Sequence, residues 1–331
     1  MRLLFKHTAK LTAILFATLF FTGCIGDDMS DCFPDKLNLR FVYDYNKDFR
    51  DKFNAQVETL DLFIYDKESN ELLDSVHVKK ADLATGNIHA LQNLPAANSY
   101  MVVVWGNLNP EFYDCQGHSV YSGMKVELRS NALGLVAKRQ GSLFHGKIEF
   151  EAGATGEIVV SLVKDTNDIH LIIKDEDDNG GRAATYAAAQ GQFTAQITAD
   201  NGAYKYDNTP IAGYKQIYHT VTTVLDKDNS ALSKADLTAM RLFVGDNSKI
   251  TIQDTKFSIP ITDDKGNPIK NMSLTELLMK DENINSNEML DRYDDYTLYF
   301  ETKVIKGAVV MALVRINDWT LIYMGGGTGG R

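Results

Sequence analysis

The 331-residue sequence predicts an all-β protein built as two β-sandwiches, one per half. Three observations carry this. Apolar and polar residues alternate at period two through most of the chain, the pattern of half-buried strands. Clusters of Gly, Asn and Asp separate the alternating runs as turns do. Only one stretch has the spacing and cap of a helix. Many short strands with few helices pack as face-to-face sheets.

In chain order, Leu37, Leu39, Phe41 and Tyr43 share one strand face, with Asn38, Arg40 and Val42 on the other. Leu60, Leu62 and Ile64 repeat the pattern before Asp66. Met101-Val102-Val103-Val104-Trp105 is continuously apolar and stops at Gly106-Asn107, as a central strand buried on both faces would. Further strands are expected at 143–150 and 157–163. A short polar stretch, Lys164 to Asp168, then precedes Ile169, Leu171 and Ile173, and the boundary between the halves falls near residue 165.

The second half repeats the style without a strict sequence repeat. Phe193 to Ile197 alternates, as do Ile250/Ile252 and Phe257/Ile259/Ile261, and Leu242-Phe243-Val244 ends at Gly245. Asp263 to Pro268 is a turn cluster. Ser273 stands three residues before Glu276, the capping-box spacing, and Leu274, Leu277 and Leu278 follow on one face, so a helix is expected there. Tyr296/Leu298/Phe300, Ala308 to Ile316, and Trp319 to Tyr323 read as closing strands. The run Gly325 to Gly330 reads as a flexible tail rather than a phosphate loop, because no helix follows it.

The N-terminal residues point to export. Arg2, Lys6 and Lys10 precede an apolar run from Leu11 to Phe21, which ends in Phe21-Thr22-Gly23-Cys24. That run suits a signal h-region and is short of the ~20 apolar residues that span a bilayer. Small residues directly before a cysteine admit a peptidase, and the thiol can accept a diacylglycerol. The four residues resemble a bacterial lipobox with Phe21 where Leu is usual. Residues 1–23 therefore read as a lipoprotein signal peptide, Cys24 as the lipid attachment point and 24–35 as a tether. Residues 36–164 then form an N-terminal sandwich and 165–331 a C-terminal sandwich with its Gly-rich tail. An ordinary signal peptide with an incidental cysteine is the plainer alternative. Acyl chains add about 0.8 kcal/mol of membrane affinity per buried CH₂, so two or three chains hold durably where one does not. Ile25-Gly26-Asp27-Asp28 resembles the acidic stretch that accompanies transfer to the outer face of the outer membrane in Bacteroidetes lipoproteins; a solvated tether is the alternative.

Removing residues 1–23, with their three basic and no acidic side chains, leaves 308 residues and a formal charge of −13. An acidic chain without a basic cluster argues against nucleic acid as a partner. Cys32 and Cys115 remain, and in an oxidising compartment such a pair commonly forms a disulfide. Closing that loop would stabilise the fold by roughly 4 kcal/mol in the chain-entropy picture. Two buried free thiols are the alternative.

No catalytic set emerges, and no cofactor is implied. The histidines beyond the signal, His77, His89, His118, His145, His170 and His219, lack metal-ligand spacing. His170, alternating with apolar neighbours, is expected on the polar side of its sheet. There is no nucleophile elbow, P-loop or dinucleotide fingerprint. Asp294-Asp295 and Asp175 to Asp178 read as solvated loops rather than acid/base pairs, and the run to Gly180 lacks the spaced ligands and closing Glu of an EF-hand.

Three segments are more specific. After Cys24, an acidic spacer and Cys32, the chain reads Leu39-Arg40-Phe41-Val42-Tyr43-Asp44-Tyr45-Asn46, then Asp51-Lys52-Phe53, then Val57 to Asp66. Trp105-Gly106-Asn107 follows a β-run, and Ile316-Asn317-Asp318-Trp319-Thr320-Leu321-Ile322 closes the chain. These resemble the Bacteroidales fimbrial anchor lipoproteins of the FimB type; about 175–290 offers no comparable match. The resemblance implies two transthyretin-like β-sandwiches on a lipidated N-terminus. It also implies a place at the base of a fimbrium, holding it to the outer membrane at the cell surface and limiting its length. Related stalk subunits assemble by strand donation, which is β-augmentation. An anchor that keeps its N-terminus keeps its own first strand, here Leu37 to Tyr43. Trp319, Leu321, Tyr323 and the Gly-rich tail are the implied contacts with the first stalk subunit, or else plain core strand. The competing class is a surface glycan-binding or adhesin-type lipoprotein, with Tyr204, Tyr206, Tyr214 and Tyr218 as stacking platforms. A hydrolase has no constellation behind it.

Overall fold

The computed structural model describes residues 37–175, 193–225, 232–254, 272–305 and 308–320. The first half contributes β1 (Leu37–Val42), β2 (Thr59–Asp66), β3 (Leu72–Lys79), β4 (Ile88–Leu91) and β5 (Ser99–Gly106). They are followed by β6 (Tyr113–Gln116), β7 (Lys125–Leu128), β8 (Phe144–Glu151), β9 (Gly156–Ser161) and β10 (Val163–Lys164). A three-stranded sheet in the order β4-β1-β9 faces a five-stranded sheet in the order β10-β8-β5-β2-β3.

The period-two pattern decides what each face meets. Leu39 and Phe41 of β1, Leu62 and Ile64 of β2, and Val102 and Val104 of β5 form the core between these two sheets. The alternate residues, Phe63, Tyr65, Met101, Val103 and Trp105, point the other way into a second core. All eight residues of β5 are buried, so the continuous apolar run marks a strand covered on both faces.

The second half contributes β11 (Thr166–Asp175), β12 (Phe193–Ala199), β13 (Ala203–Lys205), β14 (Gln216–Ile217), β15 (Val221–Thr222) and β16 (Val224–Leu225). The remaining strands are β17 (Leu232–Met240), β18 (Lys249–Asp254), β19 (Met272–Ser273), β20 (Asp295–Ile305), β21 (Ala308–Ile316) and β22 (Trp319–Thr320). A six-stranded sheet, β16-β17-β11-β20-β21-β22, faces a sheet ordered β14-β12-β18-β19. Between them, Ile169, Leu171, Leu237, Leu298 and Phe300 meet Phe193, Ile197, Ile250 and Ile252. The fold is all-β, with paired sheets in each half.

Three short α-helices, α1 (Phe53–Gln56), α2 (Leu274–Leu278) and α3 (Asn287–Arg292), and two single 3₁₀ turns, Lys80–Asp82 and Tyr121–Gly123, complete the described residues. In α2 the expected cap is present, with Ser273 Oγ accepting from the Glu276 amide at 3.3 Å. Ser286 caps α3 in the same way, accepting from the Met289 amide at 3.2 Å. Leu242 to Val244 is not strand. The expected runs at Phe257 to Ile261 and Asp263 to Pro268 lie outside the described residues.

The halves share a topology that their sequences do not show. Each opens on a strand held between an antiparallel and a parallel neighbour: β1 between β4 and β9, β11 between β17 and β20. They are also interleaved. Strand β13 of the second half pairs with β7 of the first, giving a shared sheet β13-β7-β6. Val136 N–H donates to Ile217 O at 2.9 Å, carrying a first-half segment to the edge of β14.

Candidate functional site

Strand β1 runs into a loop that contacts the second half of the chain. Leu37 to Val42 pairs along its length with β9, and Leu37 to Arg40 also with β4. Its inward side chains Leu39 and Phe41 are fully buried. Removing this strand would open a long apolar groove and leave both neighbours with unpaired backbone groups, the geometry that strand addition fills.

Beyond β1 the chain turns sharply over residues 44–52. The side chain of buried Asn46 donates to Tyr43 O at 2.9 Å and Arg50 O at 2.8 Å. Asp51 Oδ1 accepts from the amides of Tyr43 and Phe53, both at 2.9 Å. This loop grips the second half. The Arg292 guanidinium of α3 lies 4.1 Å from the Tyr45 ring centre and 4.5 Å from that of Phe49, a cation–π sandwich. Tyr43 Oη donates to Asp294 Oδ2 at 2.6 Å in the interior, and burial, with Asp294 beside it, raises the phenol well above its ordinary range.

Asp294, expected in a solvated loop, is therefore buried, because it receives Tyr43 and lies 3.4 Å from the enclosed Lys164 ammonium. Lys164 also reaches Asp168 at 3.2 Å, and Arg139 bonds Asp168 at 2.8 Å and Thr238 at 2.6 Å. The short polar stretch Lys164 to Asp168 is thus buried in part, and nothing local in the sequence distinguishes a buried, paired lysine from a solvated one.

The predicted site residues are placed unevenly. Cys24, Cys32, Leu321 and Tyr323 lie outside the described residues. Cys115 sits half-buried on β6, where burial pushes its thiol up to about 12. Trp319 is half-buried on β22, paired with Ile316. Of the tyrosines offered as sugar platforms, Tyr204 and Tyr218 are core residues, each fully buried. Tyr218 Oη donates to Asn201 Oδ1 at 2.7 Å, a structural bond. Tyr206 packs on Tyr121, and Tyr214 carries Lys125 over its ring.

His170 is half-buried on the outer face of β11, as its alternation predicts. Its Nε2 lies 3.3 Å from Asp295 and its Nδ1 2.6 Å from Asp236, and these carboxylates, Asp295 foremost, raise it to about 9. A base whose folded pKa is raised stabilises the fold fully below its ordinary value of 6.5 and loses that contribution as pH rises through about 9. Denaturant melts of wild type and His170→Asn should accordingly converge between pH 6.5 and 9.5; a constant gap would refute the cross-strand triad.

Among the described residues, no group of three or more His, Cys, Asp or Glu side chains could hold a metal ion. No described helix is long and apolar enough to cross a membrane.

The family of Fimbrillin-A associated anchor proteins Mfa1 and Mfa2 matches residues 29–324. The chain belongs to this fimbrial anchor family. Comparison with curated proteins returns no match. Among solved structures, a candidate adhesin from Bacteroides thetaiotaomicron is 23% identical, with a TM-score of 0.67 over 87% of this chain and 97% of that one. A second, from Bacteroides ovatus, is 24% identical, with a TM-score of 0.64 over 87% and 92%. The fimbrial anchor protein Mfa2 of Porphyromonas gingivalis is 15% identical, with a TM-score of 0.63 over 86% and 98%. At these identities the structural likeness establishes the fold of the anchor family, and membership rests on the family match itself. That family is one of structural fimbrial proteins rather than enzymes.

Proposed function

We propose that this chain is a lipoprotein that fixes a fimbrium to the outer membrane, at the cell surface, through acyl chains on Cys24. It holds the first stalk subunit by strand-type contacts and limits the length of the fimbrium. The observation that carries the reading is the anchor-family match, which begins five residues beyond Cys24 and runs to residue 324. In this reading residues 24–35 are the tether, 36–164 and 165–331 are the two sandwich units, and a Cys32–Cys115 disulfide ties the tether to the first of them. Strand β1 stays in place because it is paired on both edges and its following loop is clasped by α3. Trp319, Leu321 and Tyr323 are the candidate stalk contacts.

Cys24→Ala tests the central claim. The variant should release intact fimbriae into the medium while the protein still folds, because two or three acyl chains make the difference between durable and negligible membrane residence. Fimbriae that stay cell-bound at wild-type levels in this variant would refute the anchoring role. The glycan-binding alternative loses support from the burial of Tyr204 and Tyr218.

A further inference from the structure

The crossover from β10 to β11 is polar in sequence, yet Lys164, Asp165, Thr166 and Asn167 are all buried. Asp165 has no exposed surface. Its Oδ1 accepts from Asn208 Nδ2 at 2.9 Å and from Arg241 Nη1 at 3.4 Å, while its Oδ2 has no donor. Arg241, just past β17, is shared with a second acid. Its Nε lies 2.8 Å from Asp291 Oδ1 of α3, an ion pair whose angle does not make a hydrogen bond. One guanidinium thus stands between two carboxylates, at the point where the crossover, β17 and α3 meet.

The surrounding charges balance among themselves. Lys164 and Arg139 face Asp168 and Asp294, and Arg292 is paired with Glu288 at 2.9 Å. Tyr204 of β13 and Tyr113 of β6 face Asp165 as buried neutral phenols, and Tyr45 faces Asp291. His145 of β8 faces Arg241, with Asp207 and Lys147 beside it, and burial lowers it to about 4, so it stays neutral. Arg292 also acts on Asp291 but is engaged by Glu288, so among the described residues the inner set is uneven: Asp165 and Asp291 against Arg241. An unbalanced charge in the interior is costly, and binding a proton removes it.

We propose that this joint, where the β10–β11 crossover meets β17 and α3, is a proton-operated lock. With Asp165 protonated the inner set is neutral and the joint is closed; with Asp165 ionised one unbalanced negative charge sits in the interior and loosens it. Burial raises the Asp165 carboxyl to about 7 against the opposing pull of Arg241 and Asn208, which puts the change near neutrality. An acid raised in the fold lends its full stability below its ordinary value of 3.8 and loses it as pH rises through about 7.

Asp165→Asn keeps the shape and fixes the site in its neutral form. In full-length protein held in detergent, the wild-type unfolding equilibrium should rise about thirtyfold from pH 5.5 to pH 8 relative to this variant. The His145 and His170 titrations cancel in that comparison. At pH 8 the Arg241 amide, bonded to Asp165 O at 2.8 Å, should exchange faster in wild type than in Asp165→Asn, and the two should match at pH 5.5. Parallel pH profiles within twofold, or equal exchange at pH 8, would overturn the proposal. Should Asp165→Asn not fold, carboxyl-¹³C aspartate spectra of the wild type decide the matter. One aspartate titrating between pH 6 and 8 supports the lock, and all of them titrating below pH 5 sinks it.

Discussion

Trp105→Ala is expected to cost about 3–5 kcal/mol of folding stability, among the largest effects of any single substitution in this chain. Trp105 is fully buried near the end of β5, on the face directed away from the β4-β1-β9 sheet. Its indole Nε1 donates to Met124 Sδ at 3.5 Å, and its ring meets the His145 imidazole edge-on at 4.8 Å. Truncation leaves a cavity that surrounding sheets cannot close, because β5 is held between two strands in fixed register. Chemical denaturation checks this through the midpoint, with the slope unchanged. A loss under 1 kcal/mol would mean that the site collapses around the missing ring.

Arg241→Ala should cost a similar amount, about 3–5 kcal/mol, for an electrostatic rather than a packing reason. The substitution leaves Asp165 and Asp291 facing each other in the interior with no cation between them. Two carboxylates so placed cannot both stay ionised, so the loss should shrink in acid, where each takes up a proton. Melts at pH 5 and pH 8 separate this from simple loss of arginine packing, which would cost the same at both. Equal destabilisation at the two pH values would show that the charges are more solvated than their burial implies.

These two residues also mark the division between what was legible in the chain and what was not. Trp105 terminates a run of five apolar residues, and that run alone announced a central strand covered on both faces. The alternation at Leu37 to Tyr43 and the Ser273–Glu276 cap were legible for the same reason: each reports on backbone within a few residues of itself. Arg241 announced nothing. Its partners are 76 residues earlier at Asp165 and 50 residues later at Asp291, and the antiparallel pairing of β17 with β11, which sets Met240 opposite Thr166, is what brings Arg241 to Asp165. Asp294 and Tyr43 are separated by 251 residues, and neither hints at the other. Tyr204 and Tyr218 failed as surface platforms for the complementary reason. Tyr204 lies on a strand and Tyr218 just past one, and which side of such a segment is solvated depends on the sheet that packs against it.

Period-two hydropathy, turn residues and caps are local, so the sequence by itself settled the β class and the place of most strands. Its N-terminal pattern of charge, apolar run and small residues before Cys24 set the expectation of a lipid anchor. Pairing between distant segments is not local. The parallel neighbour of each opening strand, the β13–β7 exchange that interleaves the halves, and the enclosure of the Lys164–Asp168 crossover depend on which surfaces exclude water together. A polar residue is free in solvent or costly in the interior according to its partners, and those partners are fixed only when the chain has folded.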